Sequence, residues 1–134
     1  MDKKLILLFS HQLTPQQLKD ANEKLQCNEI IYLPKELLYI WQNITPETDI
    51  QVFKDFLLKN GRAGDYILIQ GEWGTTYNMV NFVKENNMIP IYSSTARKVI
   101  EEKSGSDNRV IKTSIFEHKG FYRYVTTQLC SYIK

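Results

Sequence analysis

The apolar residues Leu5-Ile6-Leu7-Leu8-Phe9 run without a break, where a strand with one wet face would alternate. Such a run predicts a parallel strand covered by helices on both faces. Ser10-His11-Gln12 follows as a polar loop. Thr14-Pro15-Gln16-Gln17 carries the marks of a helix start: Thr as N-cap, Pro at the first helical position, Gln reaching back to close a capping box. Leu18, Ala21 and Leu25 set the apolar stripe of that helix. Ile30 to Leu33 predicts a second short strand, stopped by Pro34. Two helical stretches come next. Lys35 to Asn43 has Trp41 on its apolar face; the other starts after Thr45-Pro46, with Val52, Phe53, Phe56 and Leu57 inside and Gly61 as its stop. Asp65 to Ile69 predicts a third strand, and Thr75 or Thr76 caps a helix whose Met79, Val80 and Val83 recur at helical spacing. Met88 to Tyr92 is a fourth strand. Pro90 cannot donate a ladder bond, which places this strand at or near an edge. Ser93 to Arg97 reads as a polar loop. Lys98 to Glu102 and Arg109 to Glu117 read as a hairpin around the turn Ser104 to Asn108, and Phe121 to Val125 as a further strand.

The order β-α-β-α-α-β-α-β with right-handed crossovers predicts an α/β fold with a mostly parallel sheet. A long connection between the second and third strands carries the chain across the first, giving the order 2-1-3-4 plus a C-terminal β extension. A length of 134 residues, with neither linker nor repeat, makes this one domain spanning residues 1–134. The net charge of +2 is compatible with an anionic ligand but does not demand DNA or a membrane. The N-terminal apolar run is too short for a signal peptide or a span, so the expected compartment is the cytoplasm. Cys27 and Cys130 lie far apart and form no metal-ligand motif, so two free thiols and no metal or cofactor are expected.

The chemistry concentrates after the third strand, in Gln70-Gly71-Glu72-Trp73-Gly74-Thr75-Thr76. Glycines let backbone N–H groups approach a phosphate, and the hydroxyls and the following helix N-terminus add donors and a favourable dipole. The segment matches neither GxGxxG nor the Walker A loop, so it does not indicate a dinucleotide or ATP site. In the order 2-1-3-4 the switch point lies between the first and third strands. There Ser10-His11-Gln12, the Gln70 to Thr76 loop and the Ser93 to Arg97 loop are expected to converge on one crevice.

Beyond these patterns, several segments taken together carry a resemblance. They are Leu7 to Thr14, Tyr32-Leu33-Pro34, Ile40 to Ile44, Gly64 to Tyr77, Ile89 to Tyr92 and Phe116-Glu117-His118. The set resembles a small CRISPR-associated family of type III loci, the Csx-type family numbered twenty, which is similar to CARF domains, the CRISPR-associated Rossmann folds. The resemblance covers roughly Leu5 to Tyr124. It implies a CARF-like Rossmann-type domain and a homodimer that binds cyclic tetra-adenylate, a cyclic RNA second messenger. It further implies a ring nuclease: a ribose 2′-hydroxyl attacks the adjacent phosphate without metal, leaves a 2′,3′-cyclic phosphate and switches off antiviral signalling. The alternative is a non-catalytic protein that sequesters the same messenger.

With that ligand in view, Ser10 would donate to a phosphate, and His11 would orient the ribose or shuttle a proton. Glu72 would accept the 2′-hydroxyl proton, unless it is a solvated first-turn acid favoured by the helix dipole. Thr76 completes the catalytic set. Gln12, Gln70, Gly71, Trp73, Gly74, Thr75, Thr95 and Arg97 would hold the ligand, Trp73 by stacking on adenine unless it meets the partner subunit, and Arg97 by its phosphate-matching fork unless it makes a surface salt bridge. His118 is expected to pack beside Phe116 and Phe121.

Overall fold

The computed structural model describes residues 3–103 and 110–125. The expected turn at Ser104 to Asn108, Arg109 and Cys130 lie outside the described residues. Five strands and four helices follow the chain as β1 (Lys3–Leu8), α1 (Pro15–Glu23), β2 (Cys27–Ile31), α2 (Lys35–Gln42), α3 (Gln51–Asn60), β3 (Tyr66–Ile69), α4 (Trp73–Glu85), β4 (Ile89–Lys103) and β5 (Val110–Arg123). They form one sheet of order β2-β1-β3-β4-β5, compatible with a Rossmann-like fold. The pairs β1–β2, β1–β3 and β3–β4 are parallel, whereas β4–β5 is antiparallel and longer than any of them. The sheet is therefore mixed, not mostly parallel as the pattern predicted.

The unbroken apolar runs became the buried strands. Leu5 to Leu8 and Ile67 to Ile69 are at most 1% exposed. Ile6, Leu8, Ile67 and Ile69 face Trp41, Phe53, Leu57, Met79 and Val83 from α2, α3 and α4. Leu5, Leu7, Leu68 and Ile91 face Leu13 and Ala21 in and before α1. Helices on both faces explain why these strands do not alternate.

Helix ends follow local chemistry. Thr14 caps α1, its hydroxyl accepting from Gln17 N while the Gln17 side chain accepts from Thr14 N, the capping box the sequence predicted. The stripe of α1 is shifted from that prediction: Gln17 and Ala21 are buried, and Leu18 is exposed. Likewise α3 begins only at Gln51, because Thr45 to Thr48 close a turn of their own, and Val52 faces outward. Gly61 ends α3 in an extended conformation; a Cβ there would lie 2.7 Å from Met88 Sδ, so close packing explains this glycine.

One expectation about β4 fails and one holds. Ser93 to Arg97 is strand, not loop, since β4 continues through it to Lys103. Pro90 lies near an edge, as expected: β4 is next to the edge strand β5, and Pro90 is registered with Ile67 of β3 on its other side. Its carbonyl accepts from Tyr124 N just past the end of β5. The ring nitrogen points the same way, toward the frayed end of that ladder, so no interior ladder bond is lost. Between Ser94 and Thr95 the β4–β5 register shifts, leaving Lys119 as the extra residue of a bulge, with Gly120 beside it at φ +149°. Beyond this bulge β4 and β5 run on as a two-stranded arm.

Candidate functional site

Strand β3 ends at Ile69, and the chain turns at once into α4 through Gln70, Gly71 and Glu72. Three bonds hold the turn. Gln70 N donates to Leu8 O at 3.1 Å, Trp41 Nε1 donates to Gln70 O at 3.2 Å, and Tyr124 Oη donates to Ile69 O at 2.6 Å. Gly71 lies flat on the Trp41 ring; a Cβ there would come within 2.7 Å of it. Gly71 is thus explained by packing on Trp41, which is itself 3% exposed and edge-on to Phe53.

The N-cap of α4 is Glu72, not either threonine. Its carboxylate accepts from Thr75 N at 2.8 Å, Thr75 Oγ1 at 2.8 Å and Gly74 N at 3.2 Å. The bond from the Thr75 backbone, then that from the Thr75 hydroxyl, hold this carboxyl below its usual value. Donors of the first turn that the sequence offered to a phosphate are thus engaged by the chain's own carboxylate. A carboxylate that accepts three bonds is also a weaker base.

The first turn of α4 separates two cavities. One, of about 470 Å³, is lined by Gln70, Gly71, Trp73, Thr76, Tyr77, Val80 and Tyr124. Trp73 is 91% exposed and Tyr77 70%, one turn apart on α4, so the rim is aromatic. Thr76 Oγ1 is buried and has no hydrogen-bond partner, a state that polar atoms in folded chains rarely keep without a ligand or water. Burial, then Tyr92, raises the Tyr124 phenol above its usual value, so it stays a protonated donor. The other cavity, of about 270 Å³, takes Glu72, Gly74 and Thr75 together with Thr45, Thr48 and Asn78.

The three expected loops do not meet in one crevice. Ser10, His11 and Gln12 line a separate cavity of about 100 Å³ with Phe9, Tyr32 and Leu38. Gln42 of α2 donates to Ser10 O at 3.3 Å, and the His11 ring stands edge-on to Phe9. Thr95 and Arg97 are strand residues of the arm. Thr95 is registered opposite His118, on the α1 side of the sheet, and Arg97 follows on the same face with two bonds to Ser114 Oγ at 3.1 and 2.8 Å. The 470 Å³ cavity lies on the α4 side, so neither residue shares it.

On the α1 side lies a network of polar side chains that sequence reasoning missed. His118 Nε2 is 2.9 Å from Asp20 Oδ2, and His118 Nδ1 is 2.6 Å from Ser93 Oγ, which accepts from Gln17 Nε2 at 3.1 Å. Ser93 N donates to Gln70 Oε1 at 2.8 Å. One tautomer satisfies every donor: the ring proton on Nε2 goes to Asp20, and the Ser93 hydroxyl donates to Nδ1. The set has the composition of a hydrolase triad, yet Ser93 and His118 are only 5% and 6% exposed. A nucleophile must reach its substrate, so this is a structural tie joining α1, β4, β5 and the Gln70 turn. His118 does pack on Phe121, as expected, whereas Phe116 is exposed on the arm. The signal available in the sequence was Gln17, a polar residue on the inner stripe of α1. Tyr77 and Tyr124 were also missed; Tyr77 follows Trp73 at the helical spacing of four.

Burial pushes the Cys27 thiol up to about 11, with Asp65 adding to the effect and Lys3 opposing it, so the thiol stays protonated and inert. Among the described residues, no three His, Cys, Asp or Glu side chains gather as metal ligands would. No helix among them is long and apolar enough to cross a membrane.

The chain matches the model of the Uncharacterized protein MJ1673 family over residues 3–122. It belongs to that family. A relative from Methanocaldococcus jannaschii, the Uncharacterized protein MJ1673, is 45% identical over 126 residues, covering 90% of this chain and 96% of the relative. The match reaches from β1 through nearly all of β5, so the β4–β5 arm lies within the family's extent. No solved structure matches the chain.

Proposed function

We propose that the protein is a metal-independent ring nuclease that binds cyclic tetra-adenylate at the aromatic-rimmed cavity beside the α4 N-terminus and opens the ring. The observation that carries this is the 470 Å³ cavity, where exposed Trp73 and Tyr77 stand over the unpartnered Thr76 hydroxyl. Exposed aromatic faces suit adenine, since stacking recognises a base without needing its edges. The Thr76 hydroxyl offers a donor to ribose or phosphate, the Tyr124 oxygen, whose own proton goes to Ile69 O, can accept from a ribose hydroxyl, and Gln70 completes the wall. A second copy presents the same site, and a ring of four identical units matches a twofold assembly. The protein is a CARF-like domain of an antiviral signalling system in this proposal, acting on RNA messengers and not on DNA.

Cleavage then rests on positioning. A ribose held with its 2′-oxygen in line with the leaving 5′-oxygen gains up to about 7–11 kcal/mol from orientation alone, and the Thr76 hydroxyl stabilises charge growing on the phosphate. Ser10 and His11 line a separate cavity of about 100 Å³, so in this reading they act only on a ring that reaches there from the aromatic cavity. Glu72, spent as a helix cap, is the weakest member of the catalytic set.

One observation favours a second reading, a non-catalytic protein that sequesters the ring: among the described residues, no carboxylate or imidazole lines the aromatic cavity. Labelled cyclic tetra-adenylate incubated with the protein in EDTA separates the two. Linear products ending in 2′,3′-cyclic phosphate are expected. Tight binding without product replaces the nuclease by the sequestering protein, and absence of binding removes both.

A further inference from the structure

Beyond the bulge at Lys119, β4 and β5 leave the body of the protein as a ribbon. Thr95 to Lys103 pair with Val110 to His118, and from Thr95 outward almost every described side chain is exposed or half-exposed. An isolated two-stranded ribbon is at best marginally stable in water. Here it also shows apolar side chains to solvent: Ile111 is 52% exposed, Ile115 41%, Val99 49% and Phe116 69%.

The two faces differ in how their charges are used. Residues directly opposite in an antiparallel pair share a face, and alternate residues along a strand lie on opposite faces. Arg97, Val99 and Glu101 therefore share one face with Phe116, Ser114 and Lys112. On that face the charged groups are engaged within the chain: Arg97 donates twice to the neutral Ser114 hydroxyl, and Glu101 lies 3.6 Å from Lys112. The other face is a grid of three rows, Lys98 beside Ile115, Ile100 beside Thr113 and Glu102 beside Ile111. Neither Lys98 nor Glu102 has an ion-pair partner among the described residues. Four positions apart on one strand, they are about 13 Å from each other, too far to pair.

This grid is complementary to itself. A twofold axis through its middle row, lying between two ribbons stacked face to face, reverses the order of the rows and keeps each strand over its own copy. Lys98 of one copy then meets Glu102 of the second copy, and Glu102 meets Lys98. Ile115 meets Ile111, Ile100 meets Ile100, and Thr113 meets Thr113. Two opposite charges and the isoleucines find partners at once, in the face-to-face spacing of packed sheets, about 10 Å. The same operation sets the C-terminal edges of the two sheets, where the β3–α4 turns lie, toward each other.

We infer that the β4–β5 arm is a self-association surface whose occupant is the same arm of a second copy, stacked through Lys98, Ile100, Glu102, Ile111, Thr113 and Ile115. It shares with the ligand reading only the second copy, and its test contains no nucleotide, so the two fail separately. The full chain is followed by sedimentation equilibrium from about 1 to 100 μM, with Lys98→Glu, Glu102→Lys, the double swap and Ile100→Asp; circular dichroism checks that each body is folded. The wild-type chain is expected to dimerise. Each single reversal places like charges together at two symmetric positions and weakens the dimer about tenfold or more. Ile100→Asp, which sets two carboxylates at the axis, does the same or worse. The double swap restores the dimer to within about threefold of wild type, because the pairs are remade with inverted sign. A monomeric wild-type chain overturns the inference. So does a dimer that ignores the single reversals, as edge-to-edge pairing of β5 would, or a double swap that fails to restore.

Discussion

The body of the sheet and the arm that extends it use the same β-strand chemistry to opposite ends. In the body, β1 and β3 are covered on both faces, and Leu5 to Leu8 are no more than 1% exposed. In the arm, Val99, Ile111, Ile115 and Phe116 are 41% to 69% exposed. β4 belongs to both regions: Ile91 is buried and Ile100 half-buried within one unbroken strand. Apolar residues in a strand thus do not by themselves make a core. Helices must arrive to cover them, and here α1 and α4 reach only as far as the bulge. What lies past the bulge is surface available to a partner, while the body holds the cavity.

The sharpest way to break this contrast is to remove a body anchor. Trp41→Ala should cost about 3–5 kcal/mol in urea unfolding, since it leaves a hole beside Phe53 and frees the Gln70 carbonyl. An arm change such as Ile115→Ser should move the stability of the monomeric body by no more than about 0.5 kcal/mol. Equal losses at both positions would mean the arm is part of the core. Gly71→Ala comes next, at about 1–3 kcal/mol, because its new methyl must displace the Trp41 ring. Ser93→Ala, also about 1–3 kcal/mol, strips partners from Gln17 and His118 inside the α1 network. The smallest effect is at Glu72. Its folded carboxyl lies below the ordinary value, so its capping contribution is complete above pH 4.5 and is lost as pH falls through the lowered folded value. Melting temperature followed from pH 6 downward should fall less steeply for Glu72→Gln than for wild type; parallel curves would remove the cap from the account of acid stability.

Legibility in the sequence followed the same division. Continuous runs such as Leu5 to Phe9 and Tyr66 to Ile69 announced buried parallel strands, and from them the order 2-1-3-4 could be read. Thr14 to Gln17 announced its capping box because that signal is local. The arm was misread at its root: Ser93 is buried but polar because it bonds Gln17 of α1, while Thr95 and Arg97 stand exposed, so the segment shows no apolar pattern and looks like loop. Pro90 placed its strand at or near an edge, and β4 is next to the edge; that β5 is the edge strand, and sets the register that spares the missing donor, is written far along the chain. For the candidate site, the Gln70 to Thr76 segment was found, but its donors were assigned to a phosphate before Glu72 could be seen to use them. The separation of Ser10-His11 from that segment, and of Thr95 and Arg97 onto the other face, depends on where α2 and the strand pleat place them. No local pattern carries that information.

Trp73 offers the most direct test, because it stands exposed at the rim of the cavity while Trp41 is buried. Its fluorescence should change saturably as cyclic tetra-adenylate is added, with one ring per two chains at saturation. Trp73→Phe should abolish the signal, and Thr76→Val should weaken binding measured by calorimetry about tenfold, for one lost hydroxyl bond to a charged or ribose oxygen. Unchanged emission together with no heat of binding at micromolar ring would contradict a cyclic oligoadenylate site in this cavity.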